Sequence, residues 1–260
     1  MVTAAPRRLT LTAGEWAVLA AGRLGATPPA FAPASLTARN RDGAIAALVR
    51  ARVVVAPGGA RVEPVPAVAA QLAVLRRPVV TLRLHITGRA GTRQGWFAVG
   101  AGMVAGVLTL SGGRIELSLA PEVRLGTELV RVVPPAAALP GRFPVDVTLG
   151  DGGPLGGRLP LALLEEPSAG ATPDERALAG ALERRTGGVL SCLVLGRAGT
   201  ELRADRFSWL ATGTGWVGVR PRPDGSPRRL VDLVPVEPAE LATWVAPSVA
   251  ALLAGTDGAA

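Results

Sequence analysis

The chain has no lysine and no tyrosine, one cysteine, one histidine, and only five tryptophans and four phenylalanines in 260 residues. Each scarcity closes off a class of function. The single cysteine, Cys192, excludes an internal disulfide framework and any multi-cysteine zinc or iron–sulfur site. It also suits a reducing compartment. The single histidine, His85, excludes histidine-rich metal sites and leaves imidazole catalysis to one residue. No metal and no cofactor is expected on these grounds. All 28 positive charges are arginine, set against 20 carboxylates, for a net charge of +8.

What is present is apolar. Hydrophobic residues make up 48% and charged residues 18%, which is enough for a real core and too apolar for a disordered chain. A charge of +8 would ordinarily suggest nucleic acid or an anionic membrane. Here the arginines are scattered, with short pairs such as Arg76-Arg77, Arg184-Arg185 and Arg228-Arg229. A binding stripe would cluster them. Their abundance, together with that of Ala, Gly and Pro, reads as GC-rich coding, so no nucleic-acid partner is expected. An arginine-driven nucleic-acid module stays open as an alternative.

Two segments imitate targeting signals. Arg7-Arg8 precede Leu9-Thr10-Leu11 as in a twin-arginine leader, but Glu15 and Arg23 interrupt the stretch where an apolar core would lie. Thr12 and Glu15 instead form a capping box for a helix over Ala13–Leu24, with Trp16, Leu19 and Ala20 on one face. Gln94–Gly113 carry no charge and hold Gly102-x-x-x-Gly106, a membrane-helix packing pattern. Six glycines, and β-type residues on both sides of Gly100-Ala101-Gly102, favour two buried strands and a turn. No stable membrane insertion is expected.

An internal repeat organises the chain. Gly88-Arg89-Ala90-Gly91-Thr92 recurs as Gly196-Arg197-Ala198-Gly199-Thr200. Each copy follows a β-rich run, Val79–Ile86 or Val189–Leu195. Each leads to a Trp-x-x-x-Gly-x-Gly segment, from Trp96 or from Trp209, so these two tryptophans are read as equivalent. Further strand pairs come after them, Val104–Leu110 with Arg114–Leu119, and Trp216–Arg220 with Arg229–Val234. Helix starts come next at Pro121-Glu122 and Glu237-Pro238. Preceding helices are expected at Asp42–Arg50, Pro66–Arg76 and Pro173–Arg185, the last with Thr172 as N-cap. A turn is expected at Pro57-Gly58-Gly59, and flexible connectors at Gly150–Gly157 and Pro167–Thr172. Short connections imply antiparallel hairpins. The fold class is therefore α+β: two pseudo-symmetric halves, residues 1–142 and 143–260, each an antiparallel sheet flanked by helices.

Candidate chemistry is sparse. Gly213-Thr214-Gly215-Trp216-Val217-Gly218 matches a dinucleotide-binding pattern by letter, but Pro221 and Pro223 stand where a helix should open, so a β-turn is expected. His85 alternates with Leu84 and Ile86 on a sheet face, and no nucleophile signature accompanies it. A small enzyme using His85 is the least favoured alternative. Cys192 reads as a buried apolar residue. Glu165-Glu166 and Asp174-Glu175 have no partner group for acid–base work. Trp244 joins Leu241, Val245 and Leu252 on a C-terminal helix that Pro247 should kink or divide. The polar segments Thr87–Gly95 and Gly196–Asp205 are read as hairpin loops with exposed arginines, a common setting for recognition.

This order of segments resembles the EspG family of type VII (ESX) secretion-associated chaperones of actinobacteria. The likeness lies in Leu9–Thr12 with the turn at Pro28-Pro29, and in Pro66–Pro78 leading into Val79–Ile86. It is clearest in Glu122–Val133 and Trp216–Leu253, and it spans nearly the whole chain. The resemblance implies a cytoplasmic protein that is not an enzyme. It further implies a pseudo-two-fold α/β body that holds helical secretion substrates, PE–PPE heterodimers, in soluble form. The family's binding loop between early central strands maps by segment order onto Gly88–Gly95. Arg89, Arg93 and Gln94 are thus the implied partner-binding residues.

Overall fold

The structure, a computed structural model, describes residues 7–56, 62–89, 91–139, 155–164, 170–223 and 228–255. The first half runs β1 (Arg7–Leu11), α1 (Ala13–Ala20), α2 (Ala38–Arg50), β2 (Val54–Val55), β3 (Glu63–Pro64) and α3 (Pro66–Arg76). A four-strand meander comes next, β4 (Val80–Gly88), β5 (Gly91–Gly100), β6 (Met103–Thr109) and β7 (Ile115–Pro121), and then α4 (Leu125–Val130). The second half runs β8 (Gly157–Pro160), α5 (Pro173–Arg185), the meander β9 (Gly188–Ala198), β10 (Glu201–Ala211), β11 (Trp216–Pro221) and β12 (Leu230–Val236), then α6 (Glu240–Ala254).

Local chemistry explains the boundaries. Thr12 and Thr172 each close a capping box with the glutamate three residues on, Glu15 and Glu175. Thr37 caps α2 through Asn40 N–H, so this helix starts at Ala38, one turn before the expected Asp42. The helix expected to reach Leu24 ends at Ala20, where Gly22 takes a positive φ of 68°. The uncharged stretch is two buried strands, β5 and β6. Ala101 and Gly102 have φ of 53° and 70°, the geometry a two-residue hairpin turn requires. The turn expected at Pro57-Gly58-Gly59 lies outside the described residues, between the paired β2 and β3. The connectors at 150–154 and 167–169 and the Glu165-Glu166 pair lie outside them too.

All ten long-sheet strands form one sheet in the order β1-β7-β6-β5-β4-β9-β10-β11-β12-β8, and every neighbour is antiparallel. The order is the repeat made visible. Each half contributes an edge strand and then a meander, and the two meanders meet at β4 and β9. The repeat equates Gly88 with Gly196, and the seam pairs Val80 with Gly196 and Gly88 with Gly188. Counting back equally from Gly88 and Gly196 equates Leu84 with Cys192, which are themselves Cα partners. A pseudo-two-fold axis therefore passes through this pair.

Three expectations need correction. Leu9-Thr10-Leu11, met in the sequence only as a leader-like stretch ahead of the first helix, is part of the edge strand β1, because its backbone finds the free edge of β7. The polar segments Thr87–Gly95 and Gly196–Asp205 are mostly strand, since each continues a ladder with its neighbours and only a tight turn is left over. Trp96 and Trp209 are not equivalent. Leu82 pairs with Phe97 and its repeat mate Leu190 pairs with Trp209, so Phe97 is the counterpart of Trp209. The second hairpin is four residues longer (Val80↔Val99 against Gly188↔Ala211), which put the tryptophan alignment one residue out. One residue of slip moves a side chain to the other face. Trp96 accordingly packs on the α1–α3 side and Trp209 on the α4–α6 side.

Three clusters hold the body together. On one face β4 and β9 bury Leu82, Leu84, Leu190 and Cys192 against α4 and α6. On the other, α1, α2 and α3 cover the first half through Trp16, Leu19, Leu48 and Leu72, and α5 covers the second through Leu182. α6 runs unbroken through Pro247. Its buried stripe, Leu241, Val245, Val249 and Leu252, lies on both sides of the proline, so packing holds the helix where one backbone hydrogen bond is lost.

Candidate functional site

The residues implied as partner-binding sit on the β4–β5 hairpin. Arg89 is exposed in the turn. Arg93 is exposed on β5 as the Cα partner of Ile86, which places it on the α4–α6 side. Gln94, the next residue, is half-buried and faces the opposite side with His85. Its N–H donates to Thr109 Oγ1 at 2.8 Å, tying the hairpin to the end of β6. Arg89 and Arg93 therefore share one corner of the body, and Gln94 lies behind it.

That corner holds a cavity of about 450 Å³. Ile86, Leu108, Val132 and Leu139 line it with apolar surface, and Arg93, Arg114 and Arg131 bring positive charge to it. The cavity arises from how α4 ends. Pro134-Pro135 cannot continue a helix, so α4 stops at Val130 and a short 3-10 turn covers Ala136–Ala138. Leu139 then lies against Gly88 and Gly188 at the end of the seam, where a β-carbon on either glycine would collide with it. Trp216 Nε1 donates to the Pro134 carbonyl at 3.0 Å and pins the segment to the second half. The matching helix of the second half, α6, continues to Ala254.

The three arginines are not alike. Arg131 donates to Glu128 at 3.1 Å and also bonds Glu116. Arg8 from β1 donates to the other Glu128 oxygen at 2.8 Å. Glu128 is 2% exposed, so this network neutralises a buried carboxylate and fastens the edge strand to α4. The guanidinium groups of Arg93 and Arg114 have no hydrogen bond or ion pair among the described residues. Arg114, Arg131 and the Val132–Leu139 segment were not read as site residues from the sequence. The Pro134-Pro135 break, set beside the longer second-half helix, was the available signal.

The other candidates resolve without chemistry. His85 is exposed on the sheet face between Cα partners Gln94 and Ser191, and its imidazole makes no hydrogen bond or ion pair among the described residues. Cys192 is fully buried, and burial pushes its thiol up to about 12. Glu175 is held below the usual carboxylate value, first by the Thr172 N–H and then by Arg228, as a helix cap. In the Gly213–Gly218 stretch, Gly213–Gly215 turn from β10 into β11, where Thr212 N–H bonds the Gly215 carbonyl, and Trp216–Gly218 are already strand. Among the described residues no helix is long and apolar enough to cross a membrane.

Comparison with curated proteins finds no match. Among solved structures, the chain is similar to the type VII secretion system chaperone EspG5 of Mycobacterium tuberculosis, determined in complex with a PE25-PPE41 dimer. The TM-score is 0.57 at 11% sequence identity, over 95% of this chain and 96% of that one. At that identity the likeness is one of fold. The model of the EspG family matches residues 11–246. That match takes in both meanders, the seam and all six helices but the end of the last, and the chain belongs to the EspG family.

Proposed function

We propose that this protein is a cytoplasmic chaperone of a type VII secretion system, which binds helical PE–PPE substrates and keeps them soluble for export. The family match over residues 11–246 carries the reading, and the shared fold with a solved PE25-PPE41 chaperone supports it. The protein acts by binding and not by catalysis, and needs no cofactor. The physical task is to cover an apolar tip that would otherwise aggregate. A rigid body with an apolar recess and a polar rim suits it. The β4–β5 hairpin supplies the contact, with Arg89, Arg93 and Gln94 as its docking residues.

The test is co-expression with PE–PPE pairs, followed by size exclusion. A soluble 1:1:1 complex is the expected result. Substrates that stay soluble alone and never co-elute with the chain would overturn the reading. Charge reversal at Arg89 and Arg93 should weaken the complex without lowering the melting temperature.

A further inference from the structure

The cavity beside the hairpin adds chemistry that the hairpin alone does not specify. Resting on the chaperone reading, we infer that this cavity is a selectivity pocket for an acidic side chain flanked by an apolar one on the substrate's exposed turn.

Three observations converge on it. First, the walls are of two kinds. Ile86, Leu108, Val132 and Leu139 give an apolar floor, and arginines stand at the rim. An apolar side chain fits the floor by burial. Second, the charges are unequal. Arg131 is matched by Glu116 and Glu128, whereas Arg93 and Arg114 have no acidic partner among the described residues. They come from different strand ends, Arg93 on β5 and Arg114 just before β7, yet reach the same recess. Two guanidinium groups with no acidic partner among the described residues, set over an apolar floor, favour a carboxylate and repel a cation.

Third, the recess sits where the two halves differ, at the end of the shorter helix. Leu125 and Leu129 of α4 occupy the core as Leu241 and Val245 of α6 do. α6 then continues for two further turns, with Val249 and Leu252 in the core, and Leu252 lies against Gly196. In the first half the prolines end the helix, and Leu139 lies against the matching Gly88. The second half covers its end of the seam with helix; the first half covers its end with the Ala136–Leu139 segment, and the recess lies beside that segment.

The experiment takes a PE–PPE pair that co-purifies with the wild-type chain and measures its affinity by biolayer interferometry. Arg114→Glu should weaken binding about tenfold or more, and Arg93→Glu with Arg114→Glu more still, with melting temperatures unchanged. Arg114→Lys should retain most of the affinity. Ala138→Trp, which fills the recess from an exposed position, should also weaken binding. Changing one acidic residue of the substrate turn to arginine should restore binding to Arg114→Glu. A complex that forms normally with Arg114→Glu and with Ala138→Trp would overturn the pocket and leave the chaperone reading intact. Failure of the wild type to form any complex would overturn both. Binding of the pocket to free decanoate, with no effect of either variant on the substrate, would also overturn the assignment.

Discussion

Leu84 and Cys192 face each other as Cα partners at the centre of the β4–β9 seam, and they are also the same position in the two copies of the repeat. Both are almost fully buried. The residue closest to reactive chemistry in the whole chain therefore occupies the place where chemistry is least accessible.

Cys192 should be silent in the folded protein. Its thiol is raised from 9.0 to about 12 by burial, so the thiolate is scarce at mildly alkaline pH. A disulfide reagent should react only as the protein unfolds, with its rate tracking the unfolded fraction. The pH effect has a definite sign. The folded chain keeps the proton to about 12 and the unfolded chain loses it near 9, so this group erodes stability as pH climbs through that interval. Cys192→Ser should lower stability by about 1–3 kcal/mol, because a buried hydroxyl replaces an apolar contact. Urea titration would read both effects.

The helices meet on the same axis. A β-carbon built on Gly126 would lie 2.8 Å from the Ala242 β-carbon, and these residues begin α4 and α6 in matching positions. Gly126→Ala should destabilise by about 1–2 kcal/mol, since overpacking outweighs the roughly 1 kcal/mol gain in helix propensity. Adding Ala242→Gly should recover most of the loss, because the swap moves the small residue to the other side of the same contact. Additive losses in the double variant would show that the crossing does not set the helix spacing.

The Glu128 network should matter more than surface charge does. Glu128→Ala removes the common partner of Arg8 and Arg131 and should cost about 2–3 kcal/mol, below the value for a fully buried pair because both arginines remain partly in water. Arg8→Ala should release β1 from the sheet edge, visible as faster hydrogen exchange over residues 8–11. If exchange there is unchanged, backbone pairing with β7 alone holds the strand.

Much of the fold was legible where local chemistry decides it. Pro66 and Pro173 begin their helices as read, and the end of α5 at Arg185 is as read. The repeat disclosed the two meanders, and the β4–β9 pairing joins them into one sheet. What escaped was decided at long range. β1 is five residues whose polar–apolar alternation, Arg8 to Leu11, is too short to read as a strand, and it exists because β7 has a free edge. The polar stretch from Thr92 to Gln94 looks like a loop until β4 supplies its hydrogen bonds. At the site, Arg89 and Arg93 were legible as exposed charges on a hairpin. The cavity was not, because it requires Leu139 to lie on Gly88 and Gly188, a contact no local pattern encodes.

The proline pair that ends α4 has one more consequence. A body made of two equal halves has no front and no back, and whatever it grips at one corner it can grip at the other. Stopping one helix early removes that ambiguity. A duplicated scaffold becomes a one-handed tool, and under the proposed reading each chain carries a single cargo, always in the same orientation.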